Sequence, residues 1–181
     1  TQSTAANRVK IYVNGTQHTL TGTQPSQNAD LAINNNAVHY IGSAGTSSSE
    51  ALNGYLADYY LIDGSQLDPT SFGAYDDNGV WQASAYSGTY GTNGFHLAFG
   101  DSSSNAALGT DSSGNSNTFA VNNLTHATGA LASGGRSEAV SFDGTDDSLN
   151  YSSDTDLNPG TGNFTLECFV YRHAEQISMY Y

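Results

Sequence analysis

Apolar residues in this chain recur at every second position, in short runs separated by clusters of Gly, Asn, Asp and Ser, and a helical period is nearly absent. Val9, Ile11 and Val13 alternate with Lys10 and Tyr12. Phe95, Leu97 and Phe99 form a second such run, and Phe164, Leu166, Cys168 and Val170 a third. A period of two lines up side chains on one face of a strand, whereas a helix face needs a period of 3.6. The chain therefore reads as all-β and antiparallel. Asn14-Gly15 joins the first run to a return strand over Thr16–Leu20. That dipeptide suits the two positive φ angles of a two-residue hairpin turn.

The remaining segments follow the same punctuation. Residues 22–37 read as a polar connection, followed by a strand around Val38–Ile41 and a Ser/Gly-rich loop over 42–49. In Tyr55–Ile62 the apolar residues Leu56, Tyr59 and Leu61 do not share one parity, which a bulge near Asp58 or burial on both faces reconciles. Asp63-Gly64 ends that strand, and Asp68-Pro69 reads as an N-cap with Pro at the first position of one short turn. Residues 75–93 carry Trp81, Tyr86 and Tyr90, too many rings for a free linker. They are expected to pack on a neighbour, with stacking on sugars as the other use of such ring faces. Asp111–Asn115 is a tight turn of the Asx type. Phe119 and Val121 mark a strand, a Gly/Ala/Ser loop is expected over 126–137 ahead of a strand at 139–143, Leu149 with Tyr151 is expected to continue the same sheet, and 164–171 is the last strand.

Charge narrows the function. Only Arg8, Lys10, Arg136 and Arg172 are basic against 17 acidic residues, a net charge of −13. Phosphate binding needs clustered Lys and Arg, so nucleic acid and anionic membrane surfaces are poor partners. The surface is polar through Ser, Thr, Asn and Gly rather than through charge, with few trypsin sites, which suits an exported or virion protein. The single Cys168 cannot form an internal disulfide and is expected to be a buried apolar residue. No apolar stretch reaches the length of a membrane span; no signal peptide is read in these residues, an absence that carries little weight where the start is expected to be missing. The chain begins at Thr1 without a Met, and its natural N-terminus is expected to lie upstream.

Reaction chemistry finds little support. A glycosidase needs two carboxylates flanking the scissile bond. The 164–171 strand offers only Glu167, with Thr165 and Phe169 on its face. Nucleophile, phosphate-loop and Cys/His metal spacings are absent from the sequence, and His18, His39, His96, His126 and His173 are scattered. Hard-oxygen ligands are better represented: Asp143, Asp146 and Asp147 crowd one turn, with Asp154 and Asp156 in the next loop, and Ca²⁺ is the cation such a set could hold. Asp-Gly also simply makes turns.

Two groups of segments carry a family resemblance. FHLAF (95–99), GTDSSGNSN (109–117), SFDGTDDSLNY (141–151) and GNFTLECFVYR (162–172) resemble the opening of a laminin-G-like, concanavalin A-like jelly-roll module. VKIYVNG (9–15), YIGS (40–43) and LNGYLADYYLIDGSQLDPTSFG (52–73) resemble the close of one. The order is thus the reverse of the family's. The resemblance implies an antiparallel jelly-roll β-sandwich, circularly permuted or cut as two half-modules: 1–74 a C-terminal half, 75–93 an aromatic connector, and 94–181 an N-terminal half. The connector and lead-in are similar to tandem modules of phage tail-fibre or adhesin-like proteins, including those of marine phages. The implied role is a non-enzymatic structural and adhesive module, in a virion fibre or on a cell surface, that contacts host-surface carbohydrate and neighbouring modules of its own protein. Trp81, Tyr86 and Tyr90 are then the sugar-contact candidates, and a homotrimer is expected if the module belongs to a fibre. The alternatives are a Ca²⁺-stabilised adhesin module that binds protein, with Asp143, Asp146 and Asp147 as ligands, and a carbohydrate-active enzyme.

Overall fold

The computed structural model describes residues 2–29, 31, 33, 37–44, 50–128, 138–152, 157 and 160–173. Within them lie twelve strands. In chain order they are β1 (Ile11–Val13), β2 (Thr16–His18), β3 (His39–Ile41), β4 (Asn53–Asp63), β5 (Gly73–Tyr75) and β6 (Trp81–Ala83). They continue with β7 (Phe95–Leu97), β8 (Ala120–Asn122), β9 (Thr125–Thr128), β10 (Glu138–Asp143), β11 (Ser148–Tyr151) and β12 (Phe164–Arg172). Every pairing among them is antiparallel. The all-β reading holds, and among the described residues helix is limited to short 3₁₀ turns such as Pro69–Ser71 and Ala106–Gly109.

β4 organises the larger sheet. Along one edge it pairs with β12 from Gly54 to Asp63; along the other it meets β10 over its first residues and β7 at Tyr59–Leu61, and β9 extends the sheet beyond β10. A smaller sheet runs β3-β11-β8. Side chains from both sheets merge into one core: Leu56, Leu61, Val140 and Phe142 from the larger, Ile41 and Leu149 from the smaller, with Phe95, Leu97 and Phe119 between. This is a sandwich of two sheets around an apolar layer. Strands on either side of the 75–93 connector share both sheets, since β4 pairs with β7, β10 and β12, and β3 pairs with β11.

The irregular parity of the 55–62 run has its physical cause at Asp58. That residue sits at φ 45, and the ladder with β12 shifts register between Glu167 and Phe169. One extra residue in β4 turns both Leu56 and Leu61 inward although their positions differ in parity. The outward residues Tyr60 and Ile62 are buried as well, in a second cluster with Phe72, Leu67, Tyr86 and Tyr90. Both the bulge and the burial on two faces are present.

Other local readings resolve in similar detail. Asn14 and Gly15 adopt φ 47 and φ 74 in the β1–β2 turn. The Asp68 carboxylate accepts the Thr70 N–H at 3.1 Å ahead of Pro69. Two readings need correction. The expected 126–137 loop begins with a strand, because Thr125–Thr128 pairs with β10 as β9; its β-branched Thr125 and Thr128 suit an extended backbone. Residues 129–137 lie outside the described residues. The 141–151 segment also does not stay in one sheet. Its Asp-rich turn carries the chain from β10 in the larger sheet to β11 in the smaller. The 74/75 position falls inside β5, which pairs with β6 so that the connector opens as a hairpin.

Candidate functional site

The three connector rings divide between two places. Tyr86 and Tyr90 lie over the outward face of β4, with ring centroids 6.4 and 6.5 Å from Tyr60, and Tyr86 is 5.3 Å from Phe72. Burial raises the Tyr90 phenol pKa, with the Tyr86, Asp111 and Asp58 charges adding to it. Trp81 sits in the β5–β6 hairpin, 5.1 Å from Tyr75 and edge-on to it. Its indole covers Gly15, where a Cβ would come within 2.3 Å of the ring. Tyr75 Oη donates to the Asn14 carbonyl at 2.6 Å, so the two hairpins are clasped together. All three rings are half-buried, which fits the expected packing role.

The Asp-rich turn is built by its own side chains. Carboxylate oxygens of Asp143, Asp146 and Asp147 lie within 4.8 Å of one another. Asp147 is buried and accepts the Asp143 N–H, while Asp143 Oδ1 accepts the Thr145 N–H at 2.8 Å. Burial is the largest influence on the Asp147 carboxyl and raises its pKa; the Asp143 N–H opposes this, and the Asp143 and Asp146 charges reinforce it. Asp143 and Asp146 are exposed. Asp154 and Asp156 lie outside the described residues.

A polar cluster at the bulge was not legible as such in the sequence. His96 Nε2 is 2.7 Å from Asp58 Oδ1, and Tyr60 Oη donates to the same oxygen at 3.1 Å. The His96 ring stacks on Tyr60 at 4.2 Å. Asp58 and His96 are 38 residues apart and become neighbours only because β7 pairs beside the bulge. Burial holds the group in one geometry and ties β4, β7 and the connector together.

A second missed feature lies on the outward face where β4 begins. Tyr55 faces Ser141 of β10 on one side and Tyr171 of β12 on the other, and Asn53 faces Asp143. Direct cross-strand partners share a face, so these side chains point away from the core that Leu56 and Val140 enter. The Tyr55 and Tyr171 rings are 6.1 Å apart, and the His173 ring lies 4.8 and 5.7 Å from them. Tyr171 is 54% exposed. Three neighbouring rings, tilted by 31°, 54° and 81° to one another and bordered by an amide, a hydroxyl and a carboxylate, form an amphipathic platform. The sequence signal for it was the Tyr55/Tyr171 pair on strands whose register was unknown.

The Glu167 carboxylate lies on this outward face as well, opposite Tyr60, and Thr165 and Phe169 share its parity. A cavity of about 110 Å³ is walled by His39, Tyr40, Tyr59, Phe95, Phe119 and neighbouring aliphatic side chains and is mainly apolar. No helix among the described residues is long and apolar enough to cross a membrane. Comparison of the chain with protein-family models, with curated proteins and with solved structures finds no match.

Proposed function

We propose that this chain is a non-enzymatic adhesive module of a surface-exposed protein, such as a phage tail fibre, that contacts carbohydrate through the outward face of its larger sheet. The observation that carries this reading is the Tyr55–Tyr171–His173 platform with Asn53, Ser141 and Asp143 at its border. Sugar rings present C–H surfaces that suit an aromatic face and hydroxyls that need donors and acceptors in the same plane. The platform offers both. A scaffold with so few cations also leaves anionic polymers as unfavourable partners.

The test is Tyr171→Ala, assayed by binding of the chain to glycan-coated surfaces and by sugar competition. Loss of one exposed stacking face should weaken binding by about fivefold, using the roughly 1 kcal/mol associated with an aromatic contact. The melting temperature should stay nearly unchanged, since the side chain is mostly in solvent. Undiminished binding by a folded Tyr171→Ala chain would remove the platform from the reading.

A further inference from the structure

We infer that the platform selects a cationic sugar, a hexosamine with a free amine, over neutral acetylated and acidic sugars. The inference rests on the carbohydrate reading above and adds the ligand's charge. The Tyr55 and Tyr171 rings lie 6.1 Å apart and tilted by 31°, with Tyr171 54% exposed, and an aromatic face attracts a cation placed over it. Asp143 lies on the same face, two pairs further along the β4–β10 ladder than Ser141, which faces Tyr55. Two residues of strand span about 7 Å, so an amine held near the rings lies within reach of that carboxylate. Asp143 is exposed, and Asp146 is exposed in the same turn.

Among the described residues, Arg172 follows Tyr171 in β12 and so alternates to the other face. Across the whole chain the net charge is −13. An ammonium group is therefore drawn to the platform by the ring quadrupoles and the carboxylate together, whereas a uronate or sialate meets like charge. An N-acetyl group keeps the stacking but loses both electrostatic attractions. An exposed cation–ring contact and an exposed ion pair together correspond to a preference of about five- to tenfold.

The experiment titrates the 181-residue chain with three defined probes, followed by amide NMR shifts and calorimetry at neutral pH and low salt. The probes are a glucosamine oligomer, an N-acetylglucosamine oligomer and a galacturonate oligomer of equal length. The expected result is tightest binding of the glucosamine oligomer, with shifts centred on Asn53, Tyr55 and Tyr171, and no binding of the galacturonate oligomer. Asp143→Asn keeps the acceptor oxygen that holds Thr145 and should reduce the preference to about twofold or less, with a larger loss of affinity for the glucosamine oligomer than for the acetylated one. Added salt should weaken the glucosamine oligomer alone. Equal or tighter binding of the acetylated or galacturonate oligomer at these residues overturns the charge selection and leaves the carbohydrate reading standing. The absence of any shift at the platform with all three probes overturns both.

Discussion

Cys168 shows how burial, rather than a specific partner, sets the chemistry of a side chain here. It lies on the inward parity of β12 and packs against the shared core, beside Tyr59. Burial pushes its thiol up from 9.0 to about 12, with the Glu167 charge adding to the shift. The Tyr59 phenol is also raised well above its ordinary value of 10.0, by burial first and by Cys168 second. Both groups bind their protons more tightly folded than unfolded. Their contribution to stability is therefore complete below pH 9.0 and is lost as pH rises towards about 12. The melting temperature is expected to fall progressively above pH 9.0, the unfolded thiol's value. Alkylation of Cys168 near about pH 8 should be slower than in the unfolded chain by roughly two orders of magnitude, because the thiolate is the reactive form. Labelling of the native chain at the unfolded rate would show that the thiol is not held in the core.

At the scale of the element, β4 depends on a residue that breaks its own regularity. Asp58 takes a left-handed backbone conformation at φ 45, which Asn and Asp tolerate and β-branched residues do not. Its carboxylate also receives Tyr60 and His96. Asp58→Asn keeps an acceptor oxygen and the backbone tolerance, and a loss of about 1 kcal/mol is expected. Asp58→Val removes the carboxylate that Tyr60 and His96 contact and strains the bulge, for a loss of about 3 kcal/mol or more. Urea unfolding of the two variants measures the difference, and equal losses would mean that the bulge is indifferent to this side chain. Gly54 makes a second demand on the strand, since a Cβ there would lie 2.0 Å from the Tyr171 carbonyl. Gly54→Ala should therefore loosen the start of the β4–β12 ladder and disturb the ring platform with it.

These two residues also mark the limit of what the sequence discloses. The parity break of Leu56 against Leu61 points in the sequence to a bulge or to burial on both faces, because a period of two cannot survive one extra residue. The hairpin at Asn14-Gly15 and the cap at Asp68 were equally legible, being local chemistry. The pairing of β4 with β7, β10 and β12 was not, since register between distant strands leaves no local trace. For that reason the connector rings stood out in the sequence, while the Tyr55–Tyr171 platform and the Asp58–His96 contact emerged only from the fold.

For the whole molecule, the decisive property is that neither sheet can be assembled from one segment alone. β4, in the leading segment, takes its neighbours from the trailing one, and β3 adds to β11 in the same way. The inner cluster draws on both segments, with Ile41, Leu56 and Leu61 set against Phe95, Phe119 and Leu149. A chain closed in this manner should run as a compact monomer near 19.0 kDa. Its radius of gyration should be about 16 Å, against about 45 Å for an unfolded chain of this length. Light scattering after size exclusion gives the mass and small-angle X-ray scattering the radius. Dividing the chain between residues 93 and 94 supplies the complementary arm. Each piece alone exposes the apolar faces that the other covers, so separately they should be unfolded or aggregated. Mixed, they should regain the strand signal and the near-ultraviolet spectrum of the intact chain. If the pieces fold independently, or if the intact chain is expanded, the two segments belong to separate modules and the shared sheets do not form in solution. The Tyr55–Tyr171 platform could not then exist within one chain, because its two rings come from opposite sides of that division.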